Sequence, residues 1–273
     1  VSHPHGASER LDRALVSVGL VSSRTRAHQL IASGSVTLDG VVVRKAATKV
    51  RTDQQLRVIK DDPWVSRAAH KLLGALDAFD TIDPAGKRCL DAGASTGGFT
   101  QVLLSRGAEH VVAADVGHGQ LSPQLFEHPD VTNAEGINLR YVSPGDLGPA
   151  FGVIVADLSF ISLRLVVPAL ADQADHRADL VLMVKPQFEI GRERLGRTGV
   201  VTSPLLRREA LEGVISAAAQ VGLQVKAAVR SPLTGQDGNA EFFLWAQSTA
   251  TTADSEADDR LGQADLDRID FGD

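Results

Sequence analysis

The apolar positions change period twice within the first sixty residues. Leu11, Leu15 and Val18 recur at helical spacing, Gly19 stops the pattern, and Ser22 and Ser23 offer an N-cap to a second helix carrying Ala27, Leu30 and Ile31. Gly34 ends that helix, and Val36-Thr37-Leu38, Asp39-Gly40 and Val41-Val42-Val43 then read as strand, tight turn and strand. Past Asp61-Asp62-Pro63, which is short, charged and proline-broken, strand and helix patterns alternate. Apolar runs predict strands at 88–91, 110–115, 152–157, 179–185, 223–230 and 240–246, and helical patterns fall around 67–79, 98–106, 162–174 and 204–221. Such alternation predicts an α/β domain built on a mostly parallel sheet covered on both faces. No helix separates the final two strands, so an antiparallel strand is expected at the sheet edge. Residues 117–150 show no clear period, and the third strand of the sheet is not legible there. The expected divisions are a small α+β domain over 1–60, a linker over 61–66, an α/β domain over 67–249 and a separate segment over 250–273.

Charge sharpens this division. The net charge of −6 over 273 residues hides a basic start, where residues 1–60 hold ten Lys and Arg against four Asp and Glu. The last 24 residues invert the balance, with two against eight, and their composition predicts disorder. A basic module on an acidic body suggests a polyanion held at one end. No run approaches the ~20 apolar residues that cross a bilayer, and Val1-Ser2-His3-Pro4-His5 does not read as a signal peptide, so a cytoplasmic protein is expected. The single cysteine, Cys89, excludes an internal disulfide, and eight scattered histidines show no metal-ligand spacing.

Asp91-Ala92-Gly93-Ala94-Ser95-Thr96-Gly97-Gly98-Phe99 joins a buried strand to a helix. That arrangement sets backbone N–H groups and a positive dipole end at one edge of a sheet. It is neither the Gly-x-Gly-x-x-Gly of dinucleotide enzymes nor a Walker loop, since no lysine follows the last glycine. Val111-Val112-Ala113-Ala114-Asp115 follows as a second strand ending in an acid, where doubly wound folds bind a ribose hydroxyl pair. A nucleoside cofactor is therefore expected here, against the plainer reading of a tight strand–helix turn and a solvated strand-end acid.

Four further polar residues fall at strand ends or in the leading helix. Asp157 follows Val153-Ile154-Val155-Ala156, Lys185 follows Leu180-Val181-Leu182-Met183-Val184, Glu241 precedes Phe242-Phe243-Leu244-Trp245, and Lys71 lies early in the first helix. A lysine terminating a fully apolar strand must be paired or be used. For any one of them a structural ion pair is the simpler account; the four together suggest a reaction centre.

These residues carry two resemblances. Arg10-Leu11-Asp12, Gly19, Ser23-Arg24, Ala27, Ile31, Gly34, Val36 and Asp39-Gly40 resemble an S4 RNA-binding domain. Lys71, Asp157, Lys185 and Glu241 match the Lys-Asp-Lys-Glu tetrad of FtsJ-type ribose 2′-O-methyltransferases, as does the Asp-x-Gly-Ala-x-x-Gly-Gly-aromatic turn. With Asp157-Leu158-Ser159-Phe160-Ile161-Ser162 and Val184-Lys185-Pro186-Gln187-Phe188-Glu189, residues 9–247 closely resemble the TlyA family of rRNA cytidine 2′-O-methyltransferases, once labelled hemolysins. The resemblance implies a Rossmann-like methyltransferase domain using S-adenosylmethionine, preceded by the small S4-like α+β domain. It also implies 16S or 23S rRNA as substrate, action at the intersubunit face and an influence on capreomycin susceptibility, with a monomer expected. Relatives carry Arg-x-Trp-Val at the linker, where this chain has Asp62-Pro63-Trp64-Val65.

The expected cofactor contacts are Asp91, Gly93, Ala94, Ser95, Thr96, Gly97, Gly98, Phe99, Asp115, Val116, Asp157, Leu158 and Phe160; the expected RNA contacts are Arg10, Arg24, Arg26, Lys45 and Arg67. A ribose 2′-hydroxyl attacks a sulfonium methyl only once its proton is removed or its developing charge is stabilised, and a lysine can do either. Lys185 is assigned that role, Asp157 orients it, and Lys71 and Glu241 position the ribose. Methylation of a base nitrogen is disfavoured because Asp157-Leu158-Ser159-Phe160 lacks the prolines of an Asn/Asp-Pro-Pro-aromatic loop, and pyrimidine C5 chemistry needs a thiolate that a strand-buried Cys89 does not offer. Two other classes compete: an RNA-binding factor without turnover, and a cytolysin, which the absence of a spanning or secretory segment disfavours.

Overall fold

A computed structural model of the protein describes residues 8–58, 63–249 and 261–272. Backbone proximity divides the chain into two units, Val1–Trp64 and Val65–Asp273.

The first unit runs β1 (Ser8–Arg10), α1 (Leu11–Ser17), α2 (Arg24–Ser33), β2 (Val36–Leu38), β3 (Val41–Val42), β4 (Lys49–Arg51) and β5 (Leu56–Val58). The Ser23 hydroxyl caps α2 by accepting the Arg26 N–H at 3.2 Å, and Gly34 closes the helix in the left-handed region at φ +80°. β2 pairs antiparallel with both β3 and β5, while β1 pairs with β4. Leu11, Leu15, Ala27, Leu30, Ile31, Val36 and Val50 form its core. Beside them Asp12 is fully buried, contacted by Arg10 at 2.9 Å, Arg24 at 2.7 Å and His28 at 3.2 Å. The Arg10 hydrogen bond above all, with those of Arg24 and His28, holds the Asp12 carboxyl well below the usual carboxylate range against the opposing effect of burial.

The second unit continues with α3 (Ala68–Ala78), β6 (Arg88–Ala92), α4 (Gly98–Ser105), β7 (His110–Asp115), α5 (Pro123–Phe126), β8 (Val131–Glu135), β9 (Phe151–Ala156), α6 (Val167–Asp172), β10 (Ala174–Val184), α7 (Pro186–Glu189), α8 (Pro204–Gln220), β11 (Gln224–Arg230), β12 (Phe242–Gln247) and α9 (Gln263–Leu266). Its seven strands lie in the order β11-β12-β10-β9-β6-β7-β8. β6 pairs in parallel with β7 on one side and β9 on the other, so the strand order reverses at β6, where open α/β sheets hold ligands beyond the carboxyl ends of their strands. β9 and the Leu180–Val184 end of β10 are apolar because both faces of the sheet are covered there, whereas the start of β10 is polar and exposed at Asp175, His176 and Arg177. No helix among the described residues is long and apolar enough to cross a membrane.

The fold departs from the sequence pattern in four places. β8 supplies the strand that 117–150 concealed; Val131-Thr132-Asn133-Ala134-Glu135 is an edge strand, only half-buried, with little apolar signal. The last two strands do form an antiparallel pair at the sheet edge, with β11 outermost, but the strand that runs against the parallel set, β12, lies one place inside, between β10 and β11. The expected helix over 162–174 shrinks to α6, preceded by a 3-10 turn at Leu163–Leu165, with Pro168 in its first turn where a missing N–H is tolerated. In the segment expected to be disordered, 250–260 lie outside the described residues, whereas 261–272 pack on the second unit. Leu266 is buried, Phe271 lies 5.2 Å ring to ring from Phe242, and Arg207 donates to the Phe271 carbonyl at 2.6 Å. Four apolar residues scattered among the acids (Leu261, Leu266, Ile269 and Phe271) make this docking possible, a signal that bulk composition averages away.

Candidate active site

The turn from β6 to α4 builds the first part of the site. Asp91 is fully buried, and its Oδ2 accepts both the Thr100 N–H and the Thr100 hydroxyl at 2.7 Å, fixing the start of α4. Its Oδ1 is buried with no hydrogen-bond partner among the described residues, and burial pushes the carboxyl up to about 7 despite the two Thr100 hydrogen bonds. Gly93 turns the chain at φ +89°, and a Cβ there would stand 2.7 Å from the Asp157 carbonyl oxygen. Gly97 has φ +92°, and its Cβ would strike Leu125 and Leu121 instead of a ligand. Asp91 and Gly97, both expected as cofactor contacts, line none of the cavities described below and act behind the turn.

A cavity of about 560 Å³ opens between the ends of β6, β7 and β9. Gly93, Ser95, Asp115, Val116, Asp157, Leu158 and Phe160 line it, as expected residues, together with Gln120, Ile137, Asn138, Leu139 and Arg140, which the sequence pattern missed because all five lie in the stretch 117–150 that shows no clear period. Its size falls in the range of small-molecule sites. Asp115 accepts the Ser95 N–H and the Gly117 N–H at 2.8 Å, one on each oxygen, so the strand-end acid organises the glycine turn and keeps a further acceptor position on each oxygen. Ala94, Thr96, Gly98 and Phe99 line a smaller recess of about 230 Å³, with Ser66, Arg67, Asp157 and Lys185 on its other wall.

A third cavity, of about 450 Å³, gathers Lys71, Asp157, Lys185 and Glu241. Lys71 Nζ lies 2.5 Å from Glu241 Oε2, and Lys185 Nζ lies 2.6 Å from Asp157 Oδ1 and donates to Ser159 Oγ at 2.9 Å. Lys71 and Glu241 are nearly inaccessible, with side chains 7% and 3% exposed. Asp157 lines all three cavities and so stands where they meet. The two ion pairs are thus inward-facing and share a cavity, unlike a network at a domain edge. Phe160 is 92% exposed at the same junction, in the left-handed region at φ +64°, with its ring 5.4 Å from that of Phe188. Ser159, Gln187, Phe188, Asn239 and Asp237 complete the lining.

Of the cations expected to meet RNA, four belong to the first unit and Arg67 to the second. Arg67 is exposed at the tetrad cavity. Arg26 and Lys45 are exposed on the first unit, where Arg10 and Arg24 are also engaged with Asp12.

A parallel sheet reversing at β6, a glycine turn below one cavity and lysine–carboxylate pairs in the next define the class: a Rossmann-like methyltransferase dependent on S-adenosylmethionine. The FtsJ-like methyltransferase family matches residues 64–248, and the S4 domain matches residues 9–56. The chain is 49% identical to the 16S/23S rRNA (cytidine-2′-O)-methyltransferase TlyA of Mycobacterium tuberculosis, over 89% of this chain and 91% of that one. It is 36% identical to Hemolysin A of Brachyspira hyodysenteriae, over 86% and 98%. A solved structure of a hemolysin-named protein from Streptococcus thermophilus superposes with a TM-score of 0.70 at 35% identity, covering 89% of this chain and 90% of that one. The chain belongs to the TlyA family.

The residues present fit the cofactor. Asp115, on the wall of the larger cavity, keeps an open acceptor position on each carboxylate oxygen, the pair of acceptors that a ribose hydroxyl pair requires.

Proposed function

We propose that the chain methylates the ribose 2′-hydroxyl of a cytidine in 16S or 23S rRNA, in the cytoplasm, at the face where the ribosomal subunits meet, and thereby influences capreomycin susceptibility. The observation that carries this reading is the convergence of Lys71, Glu241, Asp157 and Lys185 on one cavity that shares Asp157 with the glycine-turn cavity. The rRNA (cytidine-2′-O)-methyltransferase activity for which the M. tuberculosis relative is named supports the choice of cytidine and of rRNA.

S-adenosylmethionine supplies, when bound, an electrophilic methyl carbon on a sulfonium. Gly93, Ser95, Asp115, Val116, Leu158 and Phe160 would hold it in the larger cavity, with Ala94 and Thr96 beside the recess. Lys185 has three N–H positions; contacts to Asp157 and Ser159 occupy two and leave one for the ribose oxygen. As the ammonium, Lys185 steadies the forming alkoxide through that third N–H; as the neutral amine, with a lone pair in its place, it accepts the hydroxyl proton and becomes the ammonium, and in either form Asp157 fixes its direction. The Lys71–Glu241 pair, rigid through burial, positions the ribose from the opposite wall. Alignment of hydroxyl and methyl carbon then supplies much of the acceleration without a covalent intermediate. A nucleotide in structured RNA would be turned outward to reach Lys185, while cations on the S4 unit fix register through phosphates.

The test is transfer of labelled methyl groups to purified ribosomal subunits, followed by mapping of alkali-resistant linkages. A label on one or two cytidine riboses supports the reading. Label on a base, or binding of cofactor and RNA with no transfer, overturns it.

A further inference from the structure

The last register pair between β9 and β10 is Ala156 with Leu182. Asp157 and Lys185 therefore lie just past the β9–β10 ladder, although the Asp157 N–H still donates to the Ala92 carbonyl of β6 at 3.0 Å and β10 stays paired with β12 as far as Val184. Strand pairing sets where the two residues emerge from the sheet; the loops that continue from them need an anchor of their own.

Glu189 is placed to supply it. It ends α7, four residues after Lys185, and is 5% exposed. Its Oε1 accepts the Leu163 N–H at 2.7 Å, and its Oε2 accepts the Ser162 hydroxyl at 2.5 Å and the Arg164 Nε–H at 3.2 Å. Arg164 also donates to the Glu189 carbonyl at 2.7 Å. One carboxylate thus gathers three consecutive residues of the loop that carries Asp157 and ties them to the helix that begins at Lys185. Between the two anchor points lies Phe160, whose positive φ is a conformation that persists only when its surroundings over-determine it. The Phe160–Phe188 ring contact lies on the same bridge.

We propose that Glu189 is a positioning residue for methyl transfer, clamping the loop after β9 to the helix after β10 so that Asp157 and Lys185 meet at the reacting hydroxyl. Burial pushes its carboxyl above the ordinary range while the hydrogen bonds from Ser162 and Leu163 oppose that shift. An anchor of local structure alone would affect melting but not the rate of the folded enzyme.

The inference rests on the methyltransferase reading, and the experiment separates the two. Full-length wild type, E189A, E189Q and S162A, and the S162A/E189A double variant, are compared in single-turnover transfer to ribosomal subunits well below their melting temperatures, alongside cofactor affinity and KM for RNA. E189A is expected to lower the rate constant by roughly 10- to 100-fold, the scale of a 1 Å misplacement, with KM for RNA within about threefold. E189Q, which still accepts the Leu163 N–H, should lose less, and S162A should lose only a few-fold. The double variant should be no slower than E189A, because both changes open the same clamp. A folded E189A with a rate within about twofold of wild type overturns the proposal, as do losses in S162A and E189A that multiply. If E189A does not fold, E189Q decides: a rate equal to wild type overturns the clamp, and a reduced rate at unchanged KM supports it. Wild type inert on rRNA removes the methyltransferase reading and the clamp with it; active wild type with unimpaired variants removes the clamp alone.

Discussion

Replacing Lys71 by Met isolates the consequence of burying the Lys71–Glu241 pair. The two side chains are 7% and 3% exposed and 2.5 Å apart, so the substitution strands a nearly buried carboxylate whose partner is gone. Removing one member of a buried pair costs about 3–5 kcal/mol, because the remaining charge keeps its desolvation penalty and loses its compensation. For a unit of this size, ~3 kcal/mol lowers the melting temperature by about 6–12 °C. Replacing both members, as K71M/E241Q, leaves no buried charge and should restore stability to within ~1 kcal/mol of wild type, since such pairs are near break-even against neutral replacements. Methyl transfer should be lost in both variants. Differential scanning calorimetry of the three proteins measures these effects. If K71M melts within ~2 °C of wild type, or the double variant is destabilised by the sum of its parts, the pair is not electrostatically coupled and the reasoning fails.

Three other expectations follow from the same geometry. Lys185→Ala should abolish transfer while cofactor affinity by titration calorimetry stays within about threefold, because Lys185 bonds to Asp157 and Ser159 beside the larger cavity and does not line it; wild-type-like turnover would refute its role. Asp91 has its carboxyl raised from an ordinary 3.8 to about 7, chiefly by burial, so the native chain holds a proton there that the unfolded chain releases. Native stability contributed by this site is therefore present below that window and falls as pH rises through it; D91N should flatten the decline, and parallel melting curves for the two proteins between pH 4 and 8 would argue otherwise. Gly93→Ala introduces a Cβ 2.7 Å from the Asp157 carbonyl at φ +89°, which should destabilise by ~1–3 kcal/mol and weaken cofactor binding at least about tenfold; unchanged affinity would show that the turn does not shape the cavity.

What could be read in advance depended on whether a residue's role is set locally. The glycine turn was legible because Gly93 and Gly97 answer to backbone sterics within a few residues, and Lys185 and Asp157 stood out because a charge ending a wholly apolar strand breaks the local pattern. β8 was not legible: a half-buried edge strand needs few apolar residues, and Asn138 and Arg140, which follow it into the cavity, were lost with it. The place of β12 was hidden for another reason. Phe242-Phe243-Leu244 fits any covered strand, and only pairing with both β10 and β11 sets it inside the sheet. Polar residues buried by distant partners form a third group. Asp12 gathers Arg10, Arg24 and His28, and Glu189 gathers Ser162, Leu163 and Arg164, without any periodicity to announce them. In the Lys-Asp-Lys-Glu set the expected roles grouped Lys185 with Asp157 and Lys71 with Glu241, as the two ion pairs do, but strand-end positions alone do not dictate that pairing. That pairing is decided by strand order: β9 and β10 are neighbours, which brings Asp157 to Lys185, and β12 against β10 carries Glu241 toward Lys71 beside Met183. A rearrangement of the sheet edge would therefore exchange partners in the site without changing any residue in it, so the chemistry here belongs to the topology as much as to the four side chains.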